Sequence, residues 1–478
     1  MNYLIVAYIM GWVLNFEGAF MLLPAITALI YGEKEGFVFL GCSIFSFLAG
    51  GLITLKKPAN KRFYAREGFV ICSLTWIVIS LIGAIPFVIT GVLPNYVDAL
   101  FEIASGFTTT GSSVITDLTP LPHCVLIWRS FSHWIGGMGV LVFILAILPL
   151  FGGVDMHLMR AESPGPSVGK LVPNVKKTAS YLYKIYLGMT LVQMLILLIT
   201  GMHPFDAVCI TFGTAGTGGF GIHNDSCGGY TILQQAVIAV FMLLFGINFN
   251  VYFLILRKKF KDIFKIEEVK WYLIIVFTAV TLIVINYGSL NELYLSIHHA
   301  FFSVASVITT TGYGTVDFNL WPMFSKNVLV AIMFIGACAG STGGGMKVSR
   351  LLIYAKTVKK EIVGMIHQKS IKILKMDGKT VEHSVIRNVN VYLVSYLMIM
   401  AVSFLIISLD NIDFESSFTA VVATFNNIGP GLGKVGPTGN FSGFSNLSKI
   451  VLTFDMLAGR LEIFPMLLLF SRATWSKK

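Results

Sequence analysis

The chain has 478 residues, 55% of them hydrophobic and 12% charged, with a net charge of +11. Soluble domains carry about 25% charged residues, so this balance excludes a soluble enzyme, a nucleic-acid-binding domain and a disordered chain, and places the protein in a bilayer. The excess positive charge then belongs to loops, where it reports orientation and contact with anionic lipid or an acidic partner, not with nucleic acid.

A membrane-crossing helix takes about 20 apolar residues. The first two apolar runs lie near 2–30 and 37–55, and the basic residues Lys56, Lys57, Lys61, Arg62 and Arg66 follow them. The first run lacks a basic leader and continues into the second, which argues against a cleavable signal peptide. Further runs lie near 69–92, 125–151, 181–201, 231–256, 271–287, 325–354, 388–409 and 447–471. The expected fold is therefore an all-α integral membrane protein of about ten spans.

Lysine and arginine are absent from 68–128, 185–256, 271–325 and 388–433, and are clustered between these stretches. The positive-inside rule puts the clusters and both termini in the cytoplasm. The densest cluster, Lys347 to Arg387, holds ten Lys/Arg against Glu361, Asp377 and Glu382. It reads either as a solvated, lipid-binding loop or as a docking surface for a protein.

Each basic-free stretch contains a related segment: FEIASGFTTTGSS, CITFGTAGTGGFG, FFSVASVITTTGYG and FTAVVATFNNIGPG. Each is a short apolar helical run that ends in small residues and glycine. Gly111, Gly219, Gly312 and Gly429 are 108, 93 and 117 residues apart, and Gly136, Gly246, Gly336 and Gly459 recur in the spans that follow. This is a fourfold repeat of span, half-helix, glycine loop and span. The predicted units are a two-helix extension (1–66) and repeats at 67–178, 179–265, 266–380 and 381–478.

Irregular backbone survives at membrane depth only where it is buried in protein or lines water. Four such loops can surround one axis and turn carbonyl oxygens inward to replace the hydration shell of a monovalent cation. The half-helices would also aim their negative C-terminal ends there. TTTGYG at 309–314 is similar to the TVGYG filter sequence of potassium channels. The candidate ligands are backbone carbonyls of Thr109, Thr110 and Gly111; of Gly218 and Gly219; of Thr310, Thr311 and Gly312; and of Asn427, Ile428 and Gly429.

These segments, with RAESPGP at 160–166, GSTGGGMKV at 340–348 and NNIGPGLG at 426–433, resemble the TrkH-type potassium-transport subunits of the Trk/Ktr/HKT superfamily over nearly the whole chain. The two leading spans favour the TrkH branch over the KtrB branch. The resemblance implies a potassium-selective, channel-like pore in a bacterial inner membrane, with Gly111, Gly219, Gly312 and Gly429 as filter glycines. It implies a homodimer and a separate TrkA-like cytosolic subunit that binds the regulatory nucleotide. The second and fourth loops, TGGFG and NIGPG, depart from the full filter sequence, which implies weaker selectivity. In the family, the run Gly340, Ser341, Thr342, Gly343, Gly344 and Gly345 is a gate beneath the filter, and Arg460 maps to a pore-facing arginine.

GSTGGGMK is not a phosphate loop, because Met346 displaces Lys347 from the required Gly-Lys pair and no strand precedes it. It reads as a break in the 325–354 span, the one interrupted span expected. Asp455, Arg460 and Glu462 lie deep in the last span and are functional candidates by default. His123, His203, His223, His298 and His299 lack metal-ligand spacing and read as surface or interface residues, while Arg129 and His133 read as structural. The six cysteines show no CxxC, and a bridge between Cys124 and Cys227 is conceivable. The competing reading is a secondary transporter coupling potassium to H⁺ or Na⁺, with broken helices of its own. No paired nucleophile and base supports an enzyme.

Overall fold

The computed structural model describes residues 1–58, 64–139, 175–288, 292–367 and 373–476. Numbering the helices of five or more residues, α1 (Tyr3–Tyr31) and α2 (Gly36–Thr54) form an N-terminal hairpin. Its helices touch closely because small residues face each other: Ser43 Oγ donates to the Gly18 carbonyl at 2.7 Å, and a Cβ on Gly50 would lie 2.6 Å from Asn15 Oδ1. α3 (Ala65–Gly83) and α4 (Ile85–Ile89) lead to α5 (Tyr96–Phe107) and α6 (His123–Met138). Next come α7 (Val175–Ile199), α8 (Pro204–Gly216), α9 (Ile232–Phe245) and α10 (Phe249–Leu256). The third set is α11 (Glu267–Tyr287), α12 (Leu293–Ile308), α13 (Met323–Ile335) and α14 (Val348–Ile366). The last is α15 (His383–Ile407), α16 (Phe414–Phe425), α17 (Asn446–Arg460) and α18 (Phe464–Phe470).

Among the described residues six helices are long and apolar enough to cross a bilayer, or seven if the bent pair α9 and α10 counts as one span. α2, α7, α11 and α15 carry exposed apolar side chains, among them Phe37, Leu48, Ile199, Phe277, Ile285 and Leu405, as lipid-facing helices must. The short helices α5, α8, α12 and α16 are buried over most of their length. Both ends of the chain meet on one side: Tyr3 Oη donates to the Trp475 carbonyl at 2.8 Å, and Arg66 donates to that of Ser476 at 3.3 Å.

Within the basic connector, Lys375–Met376 and Lys379–Thr380 pair as a small antiparallel hairpin. One expectation needs correction: the 325–354 span is not the one interrupted span. The 231–256 segment bends by 90° between α9 and α10, where the Asn248 side chain accepts the Asn250 N–H and starts a new helix. The 447–471 segment breaks between α17 and α18, where Glu462 and Ile463 adopt φ of 61° and 68° and Pro465 falls in the first turn of α18, the helical position that tolerates a missing N–H. Residues 140–151 of the 125–151 segment and RAESPGP lie outside the described residues.

Candidate functional site: four glycine loops and the break beneath them

α5, α8, α12 and α16 end in the same way. Thr109, Thr217, Thr310 and Asn427 take left-handed φ of 56°, 55°, 60° and 56°. The next N–H, on Thr110, Gly218, Thr311 and Ile428, reaches back to the carbonyl five residues earlier at 2.8, 2.8, 2.9 and 2.8 Å. The left-handed residue itself donates to the carbonyl three earlier, at 3.0–3.1 Å in all four. These paired bonds are Schellman motifs, which satisfy helix-end carbonyls. Three of the four left-handed positions hold threonine, a β-branched residue costly there, so the same strain is held in repeat after repeat.

Two residues on, Gly111, Gly219, Gly312 and Gly429 are again left-handed, with φ of 81°, 77°, 87° and 97°. Their surroundings close a ring. A Cβ on Gly111 would strike the Gly218 carbonyl oxygen, one on Gly219 that of Thr311, and one on Gly312 that of Ile428; on Gly429 it would lie 2.7 Å from that of Thr110. Each glycine thus abuts the carbonyl that precedes the glycine of the next loop, and the fourth returns to the first. Side chains join the loops: Asn427 Nδ2 donates to Thr110 Oγ1 at 2.9 Å, and Ser112 Oγ donates to the Gly429 carbonyl at 3.1 Å. All four glycines line one cavity of about 200 Å³ on the side of the ring away from the 336–347 break, with Asn224, Thr438 and Asn440 at its walls.

Beneath the ring, residues 336–347 separate α13 from α14. The Gly344 N–H donates to Thr310 Oγ1 at 2.6 Å, so the break reaches the third loop directly. Glu268 ties both ends of the break, its Oε1 accepting the N–H groups of Ala339 at 2.7 Å and Ser349 at 3.0 Å. The Gly340 carbonyl accepts the Phe249 N–H at 3.0 Å, and Thr342 Oγ1 donates to the Phe245 carbonyl at 3.2 Å. Arg460 spans the space below: Nη1 donates to the Thr342 carbonyl at 2.7 Å, and Nη2 to the carbonyls of Gly136 at 2.6 Å and Gly137 at 2.8 Å. One side chain therefore joins the third repeat's break to the end of α6.

The TrkH family, described as a cation transport protein, matches residues 35–477. The chain belongs to that family. It is 35% identical over 484 residues to the Trk system potassium uptake protein TrkH of Escherichia coli K12, covering 99% of this chain and 100% of that one. It is 34% identical over 478 residues to TrkG of the same organism, covering 98% of each. The crystal structure of the potassium transporter TrkH from Vibrio parahaemolyticus superposes with a TM-score of 0.87 at 31% identity, over 100% of both chains. The protein is thus a multi-span, predominantly helical member of a cation transport family and not an enzyme.

In this TrkH-family chain the residues singled out from sequence come together. Thr109, Thr110, Gly111, Gly218, Gly219, Thr310, Thr311, Gly312, Asn427, Ile428 and Gly429 all belong to the ring; Gly340 to Gly345 lie under it, with Arg460 against them. Thr217 was missed, although counting two residues back from each glycine would have found it. Thr342 and Gly136 were singled out, but nothing in sequence links their carbonyls to Arg460, and the tether Glu268 carries no signal there. Arg460 does not pair with Asp455 or Glu462: Asp455 accepts from Ser403 Oγ at 2.8 Å, and Glu462 forms an ion pair with Arg350. Lys347 folds back onto the Gly343 carbonyl. Arg129 and His133 lie against the loops, His133 Nδ1 being 2.8 Å from the Gly106 carbonyl and Nε2 3.2 Å from the Phe220 N–H, and Arg129 lines the cavity that the glycines share. Among the histidines, His298 is buried rather than superficial and meets Gln235 Oε1 at 2.8 Å. Cys124 and Cys227 are both free and buried, so the conceivable bridge does not form.

Proposed function

We propose that the chain takes up potassium through a channel-like pore, with the ring of four glycine loops as its selectivity filter. The observation that carries this reading is the closure of the ring, in which each glycine packs on the carbonyl before the next glycine. Only four loops of the same backbone shape around one axis can satisfy that relation. Their carbonyls then replace ion hydration, with four helix C-termini adding negative potential. The left-handed glycine is required because a side chain there collides with the neighbouring loop. The names of the relatives, all potassium uptake proteins, point to the same ion.

The break at 336–347 acts as the gate in this reading. Its glycine-rich backbone moves at little cost, and Arg460 holds it closed while placing a positive charge in the cation path. A two-state loop of this kind needs only a few kcal/mol of bias from a partner. That partner is a TrkA-like cytosolic nucleotide-binding subunit docking on the basic segment that continues from α14, and two copies of the chain assemble as a homodimer. Both termini lie on the cytoplasmic face of a bacterial inner membrane. The two-helix extension 1–66 stands outside the four pore repeats.

The test is rubidium or potassium flux by the purified protein in liposomes, with and without an imposed proton gradient. Flux that follows the potassium gradient alone is expected. Strict dependence on a proton or sodium gradient would replace the pore with a coupled transporter.

A further inference from the structure

Behind the first two loops lies a charged pair that the equivalent positions of the other repeats lack. Glu102, in the middle of α5, is fully buried, and Arg129 of α6 is 2% exposed. Arg129 Nε donates to Glu102 Oε1 at 2.8 Å. The carboxylate also accepts Ser113 Oγ at 3.0 Å and the Val114 N–H at 2.9 Å, both just past Gly111. The guanidinium reaches the second loop: Nη1 donates to the Gly221 carbonyl at 3.1 Å, Nη2 to Ser113 Oγ at 3.3 Å, and its carbon lies 4.1 Å from the centre of the Phe220 ring. One ion pair therefore fixes backbone on the outgoing side of two neighbouring loops.

The repeat supplies the internal control. Nine residues before each filter glycine stand Glu102, Ile210, Ser303 and Ala420. Seven residues past the caps Pro122, Thr231, Pro322 and Ser445 stand Arg129, Ile238, Leu329 and Leu452. All these positions are buried. Three repeats fill the space with uncharged, mostly aliphatic side chains, so packing alone does not call for the pair. Burying two charges costs more than packing aliphatic groups unless their remaining bonds do something specific. Here those bonds end on the Val114 N–H and the Gly221 carbonyl.

We propose that Glu102 and Arg129 are positioning residues that set the carbonyl geometry of the first two loops, and through it the preference for potassium over sodium; this rests on the filter reading above. Pairing also keeps the Arg129 charge, which lines the cavity that the glycines share, from repelling the permeant cation.

The experiment is the potassium-to-sodium permeability ratio of the full-length protein in liposomes, measured with total flux and with the yield of folded protein. Glu102→Gln removes the carboxylate charge and is expected to lower the ratio about tenfold, the scale of one lost charge-assisted bond. Arg129→Lys keeps the charge but cannot reach Glu102, Gly221 and Ser113 together, and lowers it less. The double variant Glu102→Ile with Arg129→Leu restores the apolar filling of the other repeats; it folds and conducts but keeps a lowered ratio. A wild-type ratio in the double variant, or variants that lose yield and total flux while the ratio stays fixed, overturns the proposal and leaves the pair a packing device. Should Glu102→Gln fail to fold, the double variant and Arg129→Lys carry the test. Gly312→Ser, run in parallel, separates the two failures: if it too leaves the ratio unchanged, the filter reading itself is at fault.

Discussion

The ring and the region just beneath it obey different rules. In the ring, four unlike sequences reach one backbone shape, with the same left-handed residues, the same Schellman bonds and the same glycine-to-carbonyl packing around the circle. Beneath it the inner helices interrupt in unlike ways. α9 and α10 meet at 90°, α13 and α14 are separated by residues 336–347, and α17 and α18 by three residues. If the ring coordinates a spherical ion, as proposed, that role calls for equivalence, so drift in one loop harms all four. A gate beneath it would call for one element that can move against fixed neighbours, so equivalence there would have no value.

The largest expected effect comes from breaking the ring. Gly312→Ser puts a side chain at φ 87° against the Ile428 carbonyl and 2.8 Å from Pro430 Cδ. Such backbone strain is worth about 1–3 kcal/mol, and the loop relieves it by turning carbonyls away from the axis. Potassium preference over sodium should fall about tenfold while the protein still folds. A folded variant with unchanged relative permeability would count strongly against the ring as a filter. If the ring is equivalent in function as in shape, serine at Gly111, Gly219 or Gly429 acts in the same direction.

Breaking the lower region should change the amount of flux and spare its preference. Arg460→Gln removes charge-assisted bonds to Thr342, Gly136 and Gly137, each worth about 1.5–3 kcal/mol. Basal potassium flux should rise several-fold with the ion ratio intact. Arg460→Lys keeps the charge but cannot serve carbonyls of two elements from one fork, so an intermediate rise replaces the wild-type behaviour expected from charge alone. Shortening 340–345 should likewise raise basal flux and weaken dependence on the regulatory subunit. If either change misfolds the protein or disrupts its assembly, Arg460 is a structural tie and the gate lies elsewhere.

The same contrast explains what was legible in the sequence. The ring was, because its constraints are local: each glycine sits a few residues from its helix end, so spacing alone exposed it. In the lower region the break at 340–345 and Arg460 were singled out, but not the contacts they make, because those join distant segments. Arg460 meets Thr342 and Gly136 across 118 and 324 residues, and no periodicity encodes that. The breaks after α9 and α17 escaped because hydropathy continues through them and only Asn248 and Pro465 mark the turns. Within the basic cluster, Lys356 has its Nζ committed to Glu267 and to the Lys375 carbonyl.

Lys359 and Lys360, further along α14, are therefore the sharper probes of the basic surface. Reversing both to Glu should weaken copurification with the cytosolic subunit about threefold, the scale of one or two exposed ion pairs. Normal copurification with altered behaviour only in anionic lipid would assign the segment to lipid.

The smallest effect tests whether the N-terminal hairpin lies outside both regions. Glu33, just past α1, caps α6: its carboxylate accepts the N–H groups of His123 at 2.6 Å and Cys124 at 2.9 Å, and lies 2.8 Å from His123 Nδ1. Burial alone pushes its pKa up, but the backbone bonds from Cys124 and His123 outweigh it and hold the group below the usual carboxylate range. A carboxyl whose folded-state value is depressed stabilises the fold above the unfolded value, near 4.3. That contribution is lost as the pH falls through the lower folded value. Glu33→Gln should cost about 1 kcal/mol at neutral pH, the worth of a helix cap. Thermal melts of the two proteins should then converge as the pH drops below about 4. The permeability ratio should not change at any pH where both are folded, because the hairpin contributes no residue to the ring. A shifted ratio would mean that the cap on α6 is felt at Arg129, about two turns down the same helix, and that the extension belongs to the filter's support.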